Sequence, residues 1–260
     1  MVTAMAQCPI DVTDKMIERL LIDAGIDAGM RVLDIGCGHG TVSCLITRLV
    51  GAQGQVTGLD RDVRALAVAR DRARDLGLSN VEFTEGDLNE LGSELGLFDA
   101  IVGRRVLMYQ ASPVDAVRGL LSALRSGGLV VFQELDTTMV PASITSLPLH
   151  DRVQDWIWRT VEREGADPHT GFHLRSVLQQ AGLTVDQIRA EAIVQTPDTP
   201  DRLGMIVGAI LPRILKHGVA TEAEIDVDTL AQRLTRERQD ANAVYIGDMV
   251  FGAWAHKPAL

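Results

Sequence analysis

Three carboxylates and three glycines in the first ninety residues carry most of the chemistry this sequence could perform. Asp34 stands two residues before Gly36 in the run Val32-Leu-Asp-Ile-Gly-Cys-Gly-His-Gly40. Glycines at 36, 38 and 40 fall where an apolar run must bend sharply into a helix. Lacking Cβ atoms, they accept positive φ and let a ligand press against the backbone. The helix expected from Thr41 adds free N–H groups at its start. Asp60, followed by Arg61, ends Gln55-Val-Thr-Gly-Leu-Asp60, where a carboxylate can accept hydrogen bonds from both hydroxyls of a ribose. Asp87, in Glu85-Gly86-Asp87-Leu88, ends a third run and can accept from an exocyclic adenine amine. Asp34 can fix the glycine turn and, directly or through water, meet an amino group, since an unpaired acid at a buried strand end would be costly. Together the three acids suit a ligand with a ribose, an adenine and a positively charged amino-acid tail. A dinucleotide oxidoreductase fits less well: its pattern is Gly-x-Gly-x-x-Gly, and it needs no third acid.

The elements that must position these residues alternate. Arg31 to Ile35, Gln55 to Leu59, Val81 to Thr84, Phe98 to Val102 and Leu129 to Gln133 read as buried strands. Helices are expected over Thr41 to Val50, over Val63 to Leu76 with Asp62 as cap and Gly77 as stop, and from Pro113 to Leu124 ahead of Ser126-Gly127-Gly128. This alternation gives βαβ units and a parallel sheet covered on both faces, whose carboxyl-end tips share one crevice. Beyond Glu134 the pattern changes. Helices are predicted over Pro148 to Arg163, Leu174 to Ala181, Thr199-Pro200 to His217 with a kink at Pro212, and Asp228 to Gln239. Thr221 and Glu224 match a capping box. Thr184 to Val194 and Ala243 to Ala255 read as two more strands. Trp156 and Trp158 cannot share one helix face, so one is assigned to the core and the other to a pocket wall. Met205, Ile206, Ile210 and Leu211 lie at helical spacing and are expected in the core.

Composition narrows the partners. A formal net charge of −10 argues against nucleic acid or an anionic membrane, either of which requires a basic face. Cys8, Cys37 and Cys44 form no pair with disulfide or zinc spacing, and no metal site is expected. Neither a signal peptide nor a membrane-spanning run is indicated, so the cytoplasm is the expected location. A homo-oligomer is left open.

Residues 31–134 resemble the class I S-adenosylmethionine-dependent methyltransferases, closest to the group of ubiquinone/menaquinone and natural-product methyltransferases. The run Val32 to Gly40 is similar to their glycine-rich motif, Asp60 matches the acid after strand two, and Gly86-Asp87-Leu88 the adenine-contacting turn. Gly103-Arg104-Arg105-Val106-Leu107-Met108 resembles their segment after strand four, near the methionine moiety. Leu124-Arg-Ser-Gly-Gly-Leu129 resembles their Leu-x-Pro-Gly-Gly-x turn, with Ser126 in place of proline. The resemblance implies an α/β, Rossmann-like, doubly wound seven-stranded sheet, mostly parallel with an antiparallel last strand. One domain is expected, with its core at about 12–136, 172–195 and 243–257 and helical caps at about 137–171 and 196–242. It implies S-adenosylmethionine as methyl donor, held by Asp34, Gly36, Cys37, Gly38, Gly40, Asp60, Arg61, Gly86, Asp87, Leu88 and the backbone of Gly103 and Arg104.

Methyl transfer from a sulfonium is an in-line displacement in which the protein mainly aligns the acceptor and excludes water. Helices of the caps are expected to close over the methyl group, favouring a small, partly hydrophobic metabolite that accepts on O, N or C. A hydroxyl acceptor would use a general base, for which His173 ranks first, with Tyr109, His169 and His150 behind it. Two rivals keep the cofactor fold: a non-methylating reaction such as a cyclisation, and a non-enzymatic binding protein. The full set of acids and glycines disfavours the second.

Overall fold

The computed structural model describes residues 12–91, 95–139 and 141–259; Cys8 lies outside them. A helix absent from the expectations, α1 (Val12–Ala24), comes first. Its buried residues Met16, Ile17, Leu20 and Leu21 recur at helical spacing and fix the face it buries. Then follow β1 (Arg31–Ile35), α2 (Thr41–Val50), β2 (Gln55–Asp60), α3 (Val63–Asp75), β3 (Val81–Glu85) and β4 (Phe98–Arg104). Asp62 caps α3 by accepting from the N–H groups of Arg64 and Ala65, as expected. After a 3-10 turn at Leu107–Tyr109 come α4 (Pro113–Leu120), a second 3-10 turn at Leu121–Ala123, and β5 (Leu124–Asp136). The remaining elements are α5 (Pro148–Arg163), α6 (Thr170–Gln180), β6 (Thr184–Gln195), α7 (Leu203–Lys216), α8 (Glu222–Ile225), α9 (Val227–Ala241) and β7 (Tyr245–His256).

The strands form one seven-stranded sheet in the order β3-β2-β1-β4-β5-β7-β6. Neighbours from β3 to β5 are parallel, Val32 of β1 facing Val56 of β2 on one side and Ala100 of β4 on the other. β7 is the antiparallel strand. Its far end meets the start of β5, where Gly127 N–H donates to the Lys257 carbonyl and Lys257 N–H to that of Gly128. The chain winds outward from β1 to β3 and then crosses to β4, so strand order reverses between β1 and β4. In such sheets the ligand crevice opens at the carboxyl ends on either side of that reversal.

Several boundaries depart from the expectations. Ser126-Gly127-Gly128 lies inside β5, because the bonds to Lys257 hold it in the sheet. α4 stops at Leu120 instead of Leu124, and the Lys257 ammonium takes the carbonyls of Leu121 and Leu124. α7 starts at Leu203, because Thr199 is occupied in a turn with Thr196, and Asp201 takes the Gly204 N–H. Pro212 lies within α7, and the capping box at Thr221 forms.

The chain divides into two compact units, residues 1–134, 171–190 and 251–260 in one, residues 135–170 and 191–250 in the other. The first has a core built from Ile17 and Leu20 of α1, Val32 of β1, Ile46 of α2, Val102 of β4 and Val131 of β5. The second has its own, around Val153, Trp156, Val207, Ile214, Leu230 and Leu234. Both tryptophans are buried, and Trp158 satisfies its indole N–H on Asp248 together with Gln154. Met205 is exposed instead of core, whereas Ile210 and Leu211 pack against the cluster.

A polar network runs through this second unit. Arg238, fully buried, donates to Gln195, to the carbonyls of Thr196 and Thr199, and to Nε2 of His150 at 3.0 Å, with Asp201 3.6 Å away. Guanidinium only donates, so Nε2 must accept, and the proton sits on Nδ1, which faces Glu237 at 2.7 Å. His150 is thus a neutral structural histidine, its pKa lowered chiefly by burial, and it is not available as a base. Arg238→Ala strands a carboxylate and four acceptors in an interior and should cost about 3–5 kcal/mol in urea unfolding followed by tryptophan fluorescence. A loss below about 1 kcal/mol, the size typical of a surface pair, would show that the network is not what holds this unit.

Candidate active site

The site grows out of Asp60. At the end of β2 its side chain accepts the Gly38 N–H at 2.8 Å on one oxygen and the Asp62 N–H at 2.9 Å on the other. Its own carbonyl accepts from Gly86 N–H at 3.1 Å, and the Leu59 carbonyl from Cys37 N–H at 3.0 Å. Three strand-tip turns, after β1, β2 and β3, are therefore tied to one residue. The glycines of the first turn are needed for their shape: Gly36, Gly38 and Gly40 have φ of 61°, 51° and 72°. A Cβ on Gly36 would also stand 2.6 Å from a Val106 methyl, and one on Gly40 2.8 Å from the Ala69 Cβ.

Two clefts open here, both in the first unit, and they meet at Gly36 and Arg105. The larger, about 470 Å³, is flanked by Asp60, Arg61, Gly86, Asp87 and Leu88 on one side and by Val106, Tyr109 and Gln110 on the other. The smaller, about 220 Å³, is flanked by Asp34, Cys37, His39, Thr41 and Arg104. The larger falls in the range of small-molecule sites, about 300–1,000 Å³, and the smaller lies below it as an annex.

The acids differ in state. Asp34 is buried at the end of β1 and accepts from Ser43 Oγ at 2.5 Å. Burial raises its pKa to about 7, opposed by Ser43 and the nearby Arg104 charge and reinforced by repulsion from Asp60. Asp87 is held below the usual carboxylate range because one oxygen accepts from both the backbone and side-chain N–H of Asn89, each at 2.8 Å. Asn89 in turn donates to Gln110 across the larger cleft.

A fourth acid, not singled out from sequence, fixes the opposite wall. Glu134 of β5 is fully buried, and its Oε1 accepts from Val106 N–H at 3.0 Å and Leu107 N–H at 2.9 Å. Among the described residues its other oxygen has no hydrogen-bond partner. Burial raises its pKa to about 7. The loop it anchors passes through Arg105 at φ 58°, a left-handed conformation costing a non-glycine residue roughly 1–2 kcal/mol. Arg104 forms an ion pair with Asp14 of α1 at 2.8 Å.

Most of the residues picked out by sequence converge here. Gly38, Gly40 and Gly103 shape the site from behind the clefts: a Cβ on Gly103 would stand 2.5 Å from the Phe132 ring. Tyr109 lines the larger cleft and is 41% exposed. His173 lies exposed on α6 and lines neither cleft. His169 pairs with the Thr138 hydroxyl at 2.8 Å in the second unit. Asp14, Asn89, Gln110 and Glu134 were missed; only Glu134, an acid closing an apolar strand-like run, carried a local signal.

The donor set fits an adenosyl ligand with an amino-acid tail. Each Asp60 oxygen receives one protein N–H, leaving a lone pair on each for a diol, and Asp34 and Arg104 put opposite charges around the smaller cleft. Comparison with known proteins agrees. Residues 26–182 match a family model described as a methyltransferase domain. The ubiquinone/menaquinone biosynthesis C-methyltransferase UbiE of Idiomarina loihiensis is 35% identical over 136 residues, 52% of this chain and 53% of that protein. The match thus spans about half the length of that relative. Among solved structures, a Bacillus halodurans C-125 protein described as a candidate methyltransferase superposes with a TM-score of 0.65 at 15% identity, over 94% of this chain and 100% of that one. The [4+2]-cyclase SpnF does so at 0.58 and 22% identity, over 95% and 82%. The chain belongs to the methyltransferase-domain family, in its class I, S-adenosylmethionine-dependent group.

Asp34 and Glu134 make stability depend on pH in a definite direction. Their folded-state values near 7 exceed the ordinary 3.8 and 4.5, so the folded chain holds protons that the unfolded chain has released. Their contribution is fully present below about pH 4 and is lost as pH rises through about 7. The melting temperature of the ligand-free protein should therefore decline less from about pH 5 to about pH 7.5 in Asp34→Asn than in the parent. Identical slopes in calorimetric scans of the two proteins would contradict the assignment.

Proposed function

We propose that this protein is an enzyme that transfers a methyl group from S-adenosylmethionine to a carbon, oxygen or nitrogen atom of a small, partly hydrophobic metabolite of the quinone or natural-product kind. The observation carrying this reading is the convergence of Asp60, Gly86-Asp87 and Gly36 on one cleft, with Asp34 and Arg104 on the adjoining one. The quinone class is supported by the activity of the Idiomarina relative.

Bound S-adenosylmethionine supplies a methyl group already activated on a sulfonium. The chain's residues then bind and orient. In this reading Asp60 accepts from the ribose hydroxyls, Asp87 from the adenine amine, and Asp34 takes the α-ammonium, whose charge favours its ionised form. The backbones of Gly36, Cys37, Arg61, Leu88 and Arg104 complete the contact surface, with Gly103 behind them. Val106 and Leu107, pinned by Glu134, hold the wall beside Gly36 in place. Fixing donor and acceptor in line can contribute about 7–11 kcal/mol without any acid or base.

For a hydroxyl acceptor, Tyr109 is the proposed proton acceptor or orienting group, since it lines the larger cleft; His173 is second. A nucleophilic ring carbon of a quinol attacks without prior deprotonation by the protein and releases its ring proton to water after transfer. The cyclase among the fold-mates keeps a second reading alive, in which the same cofactor site supports a reaction without methyl transfer.

Labelled S-adenosylmethionine offered with hydroquinones, phenols and amines should yield labelled product and one S-adenosylhomocysteine per transfer. Substrate turnover with no S-adenosylhomocysteine would favour the cyclase-type reading. Tyr109→Phe should slow O-methylation roughly 10²–10⁴-fold while leaving S-adenosylhomocysteine affinity unchanged; unaltered rates would dismiss Tyr109.

A further inference from the structure

A buried acid stands behind the point where the two clefts meet. Glu134 of β5 takes the Val106 and Leu107 N–H groups on a single oxygen, and among the described residues its second oxygen makes no hydrogen bond. Holding that loop needs one acceptor, which a neutral amide would supply without the cost of burying a carboxylate. What an amide lacks is charge, and the junction of the clefts gives a charge something to do. Gly36 and Arg105 line both clefts. A Val106 methyl closes on Gly36, while the Val106 N–H is bound to Glu134. Arg105, at φ 58° with its N–H on the Gln133 carbonyl, adds a positive charge at the junction. That charge acts on Glu134 and favours its ionised form. Of the other charged groups, Asp34 and Arg104 flank the smaller cleft, and Asp60, Arg61 and Asp87 the larger. On β5 the next acid, Asp136, takes the Thr138 N–H at 2.7 Å. On the neighbouring β7, Asp248 holds Gln154 and Trp158, and His256 pairs with Asp186. A donor with its adenosine in the larger cleft and its amino-acid tail in the smaller carries its sulfonium where the two meet, beside the like charge of Arg105.

We propose that Glu134 is the counter-charge of the sulfonium, offsetting Arg105, and that it makes the site prefer the charged donor over the neutral thioether left after transfer. This rests on the donor assigned above. Methyl transfer removes the positive charge from sulfur and with it the partner that keeps Glu134 ionised. The carboxyl then takes up a proton from solvent, and the spent product is held less firmly than fresh donor. The preference must vary with pH in one direction. Burial raises Glu134 to about 7, so the acid ionises as pH rises through that value, and affinity for a sulfonium rises with it. Asp34, also raised to about 7, meets the ammonium that donor and product share, so its effect cancels from their ratio.

The test compares S-adenosylmethionine with S-adenosylhomocysteine by calorimetry, since the two differ by one methyl group and one charge. In the parent protein the affinity ratio should shift toward S-adenosylmethionine about 5-fold between about pH 6 and about pH 8, as one pKa unit of coupling requires. S-adenosylmethionine should also release more protons on binding, read from heats in buffers of different ionisation enthalpy. Glu134→Gln keeps the acceptor for Val106 and Leu107 but loses the charge. Its ratio should be flat with pH and about 10-fold lower at about pH 8, the size expected of unit charges about 10–12 Å apart at an effective dielectric of about 20. Arg105→Gln should move the ratio the other way, and Asp34→Asn should keep the parent's trend. A pH-independent ratio in the parent, which needs no variant to fold, would overturn the proposal. Equal losses of both ligands in Glu134→Gln would do so too, by making Glu134 merely structural. A parent protein that binds neither ligand would instead overturn the donor assignment, and this proposal with it.

Discussion

A single carboxylate ties the working end of the sheet together. Asp60 accepts the backbone of Gly38 and Asp62 on its two oxygens and takes Gly86 on its carbonyl, so the tips of β1, β2 and β3 share one anchor. Hydrogen bonds to an ionised acceptor contribute about 1.5–3 kcal/mol each, and here they hold turns with little intrinsic preference for their shape. Gly36, Gly38 and Gly40 all occupy positive φ, where glycine alone is at ease. The anchor converts flexible residues into a fixed cradle. Because, among the described residues, each oxygen receives only one N–H, the same group that builds the turn keeps the capacity to accept from a ligand.

Charge gives the crevice its second property. Asp34, Asp60 and Asp87 stand at neighbouring strand tips, and Asp34 is pushed to about 7 by burial, with Asp60 adding to the effect. Glu134 is driven the same way beneath the opposite wall. Without a ligand, the site therefore holds carboxylates that water would solvate better. A ligand bringing an ammonium and hydrogen-bond donors relieves that cost. Fold and cost meet in this balance: the parallel sheet aligns the strand tips, and burial at the tip of β1 makes Asp34 costly to ionise.

Much of this was legible in the residues, for physical reasons. Apolar strands separated by capped helices announce a parallel sheet, and glycines and acids at strand ends announce its crevice. Those signals are local. What escaped is held by partners distant in sequence. Gly127 and Gly128 remain in β5 because Lys257, more than a hundred residues later, pairs with them. Thr199 forms a turn with Thr196, so Pro200 does not begin α7. Glu134 matters through Val106 and Leu107, and Asp14 through Arg104, ninety positions away. His150 looked like a free base by residue type alone, and only the folded network shows both its nitrogens engaged.

Calorimetric titration of the parent protein with S-adenosylhomocysteine and, separately, with NADH addresses the central claim most directly. One S-adenosylhomocysteine bound per chain, with no measurable NADH binding, is the expected result. NADH binding the tighter of the two, or S-adenosylhomocysteine giving no heat of binding, would contradict the account.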